Sequence, residues 1–139
     1  MNIQVYLFFD GRCEEALAFY QEALGAEMEM LMRFNESPDP LPPPMDGPEF
    51  AEKVMHASFK VGDSVVMASD GHCGGNANFN GFCVALNVAN PKEAEARFNA
   101  LAEDGTITMP IAKTFWSPRF GMVADKFGVP WMVSAIAEE

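Results

Sequence analysis

The chain states one pattern twice, and that repetition limits the available folds more than any other feature. Asp10 and Asn90 lie 80 positions apart, as do Gly25 and Gly105. Each pair brackets a helical periodicity between two runs of strand character. A repeated supersecondary unit buries its apolar faces by repeating one architecture, so such self-similarity is read before local propensity. In the first copy, residues 3–9 predict a strand and residues 12–24 a helix. Cys13, Ala16, Leu17, Tyr20 and Leu24 recur there at spacings of three and four, one apolar stripe. Gly25 stops the helix, and residues 26–34 predict the next strand.

The second copy keeps the order. Residues 82–88 read as a strand. Asn90 is an N-cap, Pro91 suits the first helical position, and Glu93 completes a capping box. Ala94, Phe98 and Leu101 form the buried stripe, Asp104-Gly105 ends the helix, and residues 106–111 return as a strand. Each copy then adds two strands. They are expected at 54–60 and 64–69, joined at Gly62-Asp63, and at 121–124 and 131–136, joined around Phe127-Gly128. The module is β-α-β-β-β, used at 1–71 and again at 79–139 within one domain, 1–139. Two helices suffice to cover one face of each small sheet, so the class is two-layer α+β.

Two stretches fall outside the pattern. The loop from 35 to 53 holds Pro38, Pro40, Pro42, Pro43, Pro44 and Pro48, six of the ten prolines. It excludes helix and central strand and leaves a lid, a partner contact or a passive loop. The stretch Asp70-Gly71-His72-Cys73-Gly74-Gly75-Asn76 reads as a linker between modules. It has no phosphate-loop consensus, and His72 and Cys73 are no dyad by adjacency.

Nine basic against twenty acidic residues give a formal charge of -11, with no basic cluster. Nucleic acid is therefore not an expected partner. No apolar run reaches the length of a membrane span. The opening MNIQVYLFFDG has no basic region and reads as mature sequence rather than signal peptide. Three cysteines without a CxxC spacing fit a reducing cytoplasm better than a disulfide scaffold.

Several local motifs resemble one known family. They are Leu7 with Phe9-Asp10-Gly11, Cys13-Glu14-Glu15-Ala16 and Phe19-Tyr20; His56-Ala57; Met67 to Asp70; Thr114-Phe115-Trp116; Phe120-Gly121-Met122-Val123; and the tail from Asp125-Lys126-Phe127-Gly128 through Val129-Pro130-Trp131-Met132. Together they resemble the PhnB-like branch of the vicinal oxygen chelate superfamily, which includes glyoxalase I, extradiol dioxygenases and bleomycin- and fosfomycin-resistance proteins. The resemblance spans nearly the whole chain. It implies paired βαβββ modules and a homodimer. Members of the branch are sometimes labelled demethylubiquinone methyltransferases, yet nothing here resembles a glycine-rich nucleotide fold.

The resemblance also implies where a metal would sit. Metal-dependent relatives take one ligand, commonly His, from the first strand of each module and one, commonly Glu, from the last. Imidazole and carboxylate suit a divalent ion whose open positions chelate two substrate oxygens. Matching strand ends places Ile3, Cys83 and Met132 at these positions, with Val65, Val66 and Met67 in the last strand of the first module. A shift of one brings in Gln4, Tyr6 or Trp131. None completes the usual set. The expectation is that Ile3, Cys83 and Met132 turn inward on an apolar hollow. No cofactor is expected, and a divalent metal only at an altered site.

The remaining candidates are His56, as a near-neutral proton carrier, and a set able to line an apolar ligand site: Tyr6, Cys83, Phe115, Trp116, Arg119, Phe120, Trp131 and Met132. Arg119 is the cation among these aromatics, suited to a carboxylate or a ring. Cys83 also reads as a buried core thiol, and Asp125 as a turn cap. Three functions follow. The first is binding of a small organic ligand without metal. The second is an enzyme (a lyase, isomerase or dioxygenase) with an altered site, with His56, or Glu49 or Glu52 raised by burial, as its base. The third is a dimerisation or protein-interaction scaffold.

Overall fold

A computed structural model describes residues 1–71 and 76–136. The His72, Cys73 and Gly74-Gly75 readings lie outside these residues. The repeat is realised as two compact units, residues 1–77 and 78–139. Among the described residues no helix is long and apolar enough to cross a membrane.

In the first unit the order is β1 (Tyr6–Phe8), α1 (Cys13–Leu24), β2 (Glu27–Arg33), a short 3-10 turn (Phe34–Glu36), β3 (Val54–Val61) and β4 (Ser64–Ser69). They form a four-stranded mixed sheet ordered β1-β4-β3-β2, with β1 and β4 parallel and the other pairs antiparallel. The second unit has β5 (Val84–Val88), α2 (Pro91–Ala102), β6 (Thr106–Ala112), β7 (Phe120–Ala124) and β8 (Pro130–Ala135). Its sheet order, β5-β8-β7-β6, with β5 and β8 parallel, reproduces the first. The α+β class and the βαβββ module therefore stand.

Each helix packs where its stripe dictates. In α1, Cys13, Ala16, Leu17, Tyr20 and Leu24 are all buried, and the Tyr20 ring stacks on Phe59 of β3 at 5.7 Å. In α2, Ala94, Phe98 and Leu101 are buried. The strand period of two then assigns the faces. Leu7, Ala57, Phe59 and Ala68 turn to α1, so Tyr6, Phe8, His56, Ser58 and Met67 turn to the helix-free face. In the second sheet Val123, Trp131 and Val133 are buried, while Met122, Met132 and Ser134 point the other way.

The helix ends carry most of the boundary detail. Asn90 Oδ1 accepts from the Glu93 amide at 2.8 Å, with Pro91 at the first helical turn. Helix α1 is capped from a distance: Arg12 supplies no side-chain cap, and Asp70 Oδ1, just past β4, accepts from the Cys13 amide at 2.9 Å. Gly25 and Gly105 share a position in the repeat but not a reason. Gly25 takes the left-handed conformation at φ 66°. After α2 it is Asp104 that takes positive φ, at 58°. Gly105 is required by space, because a Cβ there would lie 2.3 Å from the Ala124 carbonyl oxygen.

Three boundaries shift. The first strand is shorter than expected, since Ile3 is 98% exposed and pairing begins at the Val5 carbonyl, which accepts from Met67 N at 3.0 Å. Ile3 therefore does not turn inward. The fifth strand starts at Val84, so Cys83 precedes it and is half-buried rather than a core thiol. The proline-rich loop is tied down at its ends: Phe34 N donates to Lys53 O at 3.1 Å and Asn35 N to Ala51 O at 2.9 Å. Between them it runs through successive turns, and buried Phe34 meets the Phe50 ring edge-on at 5.4 Å.

Candidate functional site on the helix-free sheet faces

On the first sheet, register brings together two residues that are 50 positions apart. Tyr6 on β1 pairs with Met67 on β4, and Met67 pairs with Ser58 on β3. His56 lies two residues from Ser58 on the same face. The Tyr6 hydroxyl and His56 Nδ1 are 2.9 Å apart, a hydrogen bond between half-buried groups. The Tyr6 ring stacks on Phe8 at 4.8 Å and tilts against the imidazole at 5.5 Å. Met32 pairs opposite His56 across β2. One imidazole and one phenol thus sit among an aromatic ring and thioethers. The environment is apolar and deformable, with two polar atoms joined to each other.

The second sheet carries a comparable face without a histidine. Met109, Met122, Met132 and Ala85 are successive cross-strand partners. Phe120 pairs opposite Ser134. The segment Thr114–Ser117 forms a turn before β7, closed by Thr114 N donating to Ser117 O at 2.9 Å and Ser117 N to Thr114 Oγ1 at 3.1 Å. Buried Ser117 donates onward to the Ala135 carbonyl at 2.7 Å. That lock holds an edge-to-face run of rings, Phe115 to Trp116 at 4.7 Å and Trp116 to Phe120 at 5.1 Å. Phe115 is 97% exposed and Trp116 48% exposed, while Phe120 is buried.

The sequence candidates divide accordingly. Tyr6 and His56 come together, as do Phe115, Trp116 and Phe120, and Met132 lies on a helix-free face. Trp131 faces the core instead. It is 2% exposed, and its indole N–H donates to Asp125 Oδ2 at 2.9 Å. Asp125 Oδ1 meanwhile accepts from the amides of Phe127 and Val129 at 2.9 and 3.1 Å, the turn-capping role its position predicts. Arg119 is engaged by Glu95 of α2, its Nε 3.0 Å from Oε1, so its charge is met within the fold. Cys83 joins neither ring cluster among the contacts described. Glu49 and Glu52 are both exposed rather than buried.

Asp70 is the residue whose role the sequence reading did not reach. Its Oδ1 accepts from Cys13 N at 2.9 Å and its Oδ2 from Val54 N at 3.0 Å, so one carboxyl joins the start of α1, the start of β3 and the end of β4. Burial pushes its pKa above the ordinary carboxylate value, against the amide bonds and the nearby Lys53, which pull it down. Burial, with Asp70 and Glu14 nearby, also raises the Cys13 thiol strongly, which keeps that cysteine from being a nucleophile. A buried acid followed by Gly71 is the available sequence signal, and no local pattern says which amides it meets.

A divalent ion does not fit this donor set. Among the described residues no group of three or more His, Cys, Asp or Glu gathers. The single imidazole of the first face has the Tyr6 phenol, the Ser58 hydroxyl and thioethers beside it, unlike the imidazole-carboxylate sets of hard or borderline ions.

Two repeated βαβββ units, each with one helix-free sheet face, define the vicinal oxygen chelate type of fold. Within that class, the chain belongs to the family described as 3-demethylubiquinone-9 3-methyltransferase, whose model matches residues 1–134. It is 36% identical to Protein YjdN of Escherichia coli (strain K12) over 146 aligned residues, covering 100% of this chain and 98% of that one. The crystal structure of protein PA1353 from Pseudomonas aeruginosa is similar at 40% identity and TM-score 0.85, with 99% of both chains covered. A structure described as a putative 3-demethylubiquinone-9 3-methyltransferase, PhnB protein, from Bacillus cereus is similar at 26% identity and TM-score 0.77, covering 97% of this chain and 99% of that chain. The fold alone extends to the fosfomycin resistance protein FosX of Listeria monocytogenes, at 12% identity and TM-score 0.67, covering 99% of this chain and 92% of that one.

Proposed function

We propose that this chain binds a small, planar, largely apolar organic molecule on the helix-free face of its first sheet, without a metal ion as anchor. The observation that carries this reading is the contact of the Tyr6, Phe8 and His56 rings on that face, with Met32 and Met67 as their cross-strand neighbours. Rings offer a stacking surface, and thioethers repack around differing shapes. The fold lends no support to the methyl transfer named in the family's description. The strand-to-helix connections here run through Asp10-Gly11-Arg12 and Ala89-Asn90, and the sheets are mixed and four-stranded, unlike a glycine-rich doubly wound fold.

A ligand that binds only the folded chain stabilises it, by about 2.7 kcal/mol at a hundredfold excess over Kd. The reading predicts that 4-nitroanisole raises the melting temperature by several degrees, and that manganese(II) or zinc(II) alone leaves it unchanged. Stabilisation by a metal with none by the aromatic probe would contradict it.

The exposed Phe115-Trp116 tip favours a second reading, a protein-contact scaffold. Phe115→Ser separates the two. Ligand stabilisation is unchanged under the first reading, whereas self-association in sedimentation weakens under the second.

A further inference from the structure

We infer that Tyr6 and His56 form a proton-accepting pair that selects a ligand with an acidic hydroxyl, a phenol or an enol. The inference rests on the ligand-binding face proposed above and assigns its polar chemistry. The His56 imidazole is half-buried, and among the described residues no buried side-chain nitrogen or oxygen lacks a partner, so a ring nitrogen without one reaches solvent. Here Nδ1 is satisfied by the Tyr6 hydroxyl at 2.9 Å, and Nε2 has no partner among the described residues. That bond fits two tautomers: when the Tyr6 hydroxyl donates to Nδ1, it is Nε2 that carries the proton. When Nδ1 carries the proton and donates it to Tyr6 Oη, Nε2 holds a lone pair directed away from the phenol. Tyr6 thus stands where a carboxylate orients the imidazole in many acid-base pairs, but without a negative charge.

The proton balance follows. A ligand hydroxyl meets Nε2; its O–H bond breaks, the oxygen keeps the electron pair, and a new N–H bond forms. The imidazolium then donates from Nδ1 to Tyr6 Oη, and the Tyr6 hydroxyl hydrogen turns away from the ring. The outcome is an oxyanion beside an imidazolium, joined by a charge-assisted hydrogen bond, about twice as strong as a neutral one. The class is limited to hydroxyls acidic enough to yield a proton to imidazole. An aliphatic alcohol does not qualify. The Tyr6-Phe8 stack favours a planar bearer of that hydroxyl.

The test uses two probes of one shape on the full chain. At a pH below its own pKa, free 4-nitrophenol is neutral and lacks the visible phenolate band, and 4-nitroanisole has no proton to give. The inference predicts that wild-type protein binds both probes and that only bound nitrophenol develops the phenolate band. His56→Ala and His56→Gln, shown to fold by circular dichroism and a cooperative thermal transition, lose the band at nitrophenol concentrations that saturate each variant. Tyr6→Phe lowers the phenolate-to-phenol ratio of the bound probe about tenfold, the loss of one hydrogen bond to a charged group. A band that persists without His56 would overturn the assignment. So would wild-type binding of both probes with no band, which leaves the apolar site standing. Failure to bind either probe would remove the ligand-binding reading and this inference together.

Discussion

Asp70 and His56 show how position decides the use of a polar group. His56 engages one ring nitrogen with Tyr6 and has no second hydrogen-bond partner among the described residues. Asp70 spends both oxygens on backbone amides and serves the fold. Its titration gives a prediction with a definite sign. Burial raises its folded pKa above the unfolded value of about 3.9. The folded state therefore binds more protons between those two values, and stability falls as pH rises through that window. The stabilisation from this residue is complete below the unfolded pKa and is lost as pH climbs through the folded one. The advantage of the natural chain over Asp70→Asn, measured by urea unfolding at a series of pH values, should shrink from about pH 4 upward and then level off. An advantage that grows with pH would mean that the amides of Cys13 and Val54, with Lys53, outweigh burial.

Elements were legible wherever periodicity was strong. The stripes of α1 and α2 named their buried residues, and the run from Ser64 to Ser69 was bounded correctly because its turn at Gly62 and its exit at Asp70 both carry local signals. Boundaries failed where pairing rather than pattern ends a strand. Ile3 continues the alternation of β1, but the ladder with β4 joins only Tyr6, Leu7 and Phe8. The two stop glycines looked equivalent because sequence shows only the missing side chain. Structure separates them into a backbone angle at Gly25 and a close approach at Gly105. Gly25→Ala should cost about 1 kcal/mol, the penalty of a left-handed residue. Gly105→Ala places a Cβ 2.3 Å from the Ala124 carbonyl and must displace β7, so its cost should exceed about 3 kcal/mol, at the upper end of overpacking penalties. Thermal unfolding of the two variants checks the order, and equal losses would remove the steric account of Gly105.

For the molecule as a whole, the repeat was the most informative feature and the site the least. Two sheets with the same strand order follow from two copies of one module. The site depends on which residues of different strands share a face. Tyr6 and His56 are 50 positions apart and join only through the register of β1 with β4 and β4 with β3. Trp131 and Met132 are adjacent, yet alternation sends one to the core and the other to the helix-free face. The aromatic count alone could not divide them. Charge acts at this scale too: a net -11 sets solubility and repulsion but selects no ligand.

The most direct measurement follows the methionine methyl groups, labelled with carbon-13, during titration with 4-nitroanisole and, separately, with manganese(II). The account predicts that the signals of Met32 and Met67, cross-strand neighbours of His56 and Tyr6, move with the aromatic probe and are not selectively broadened by the paramagnetic ion. Selective broadening of those two signals by manganese, with no response to the aromatic, would contradict it.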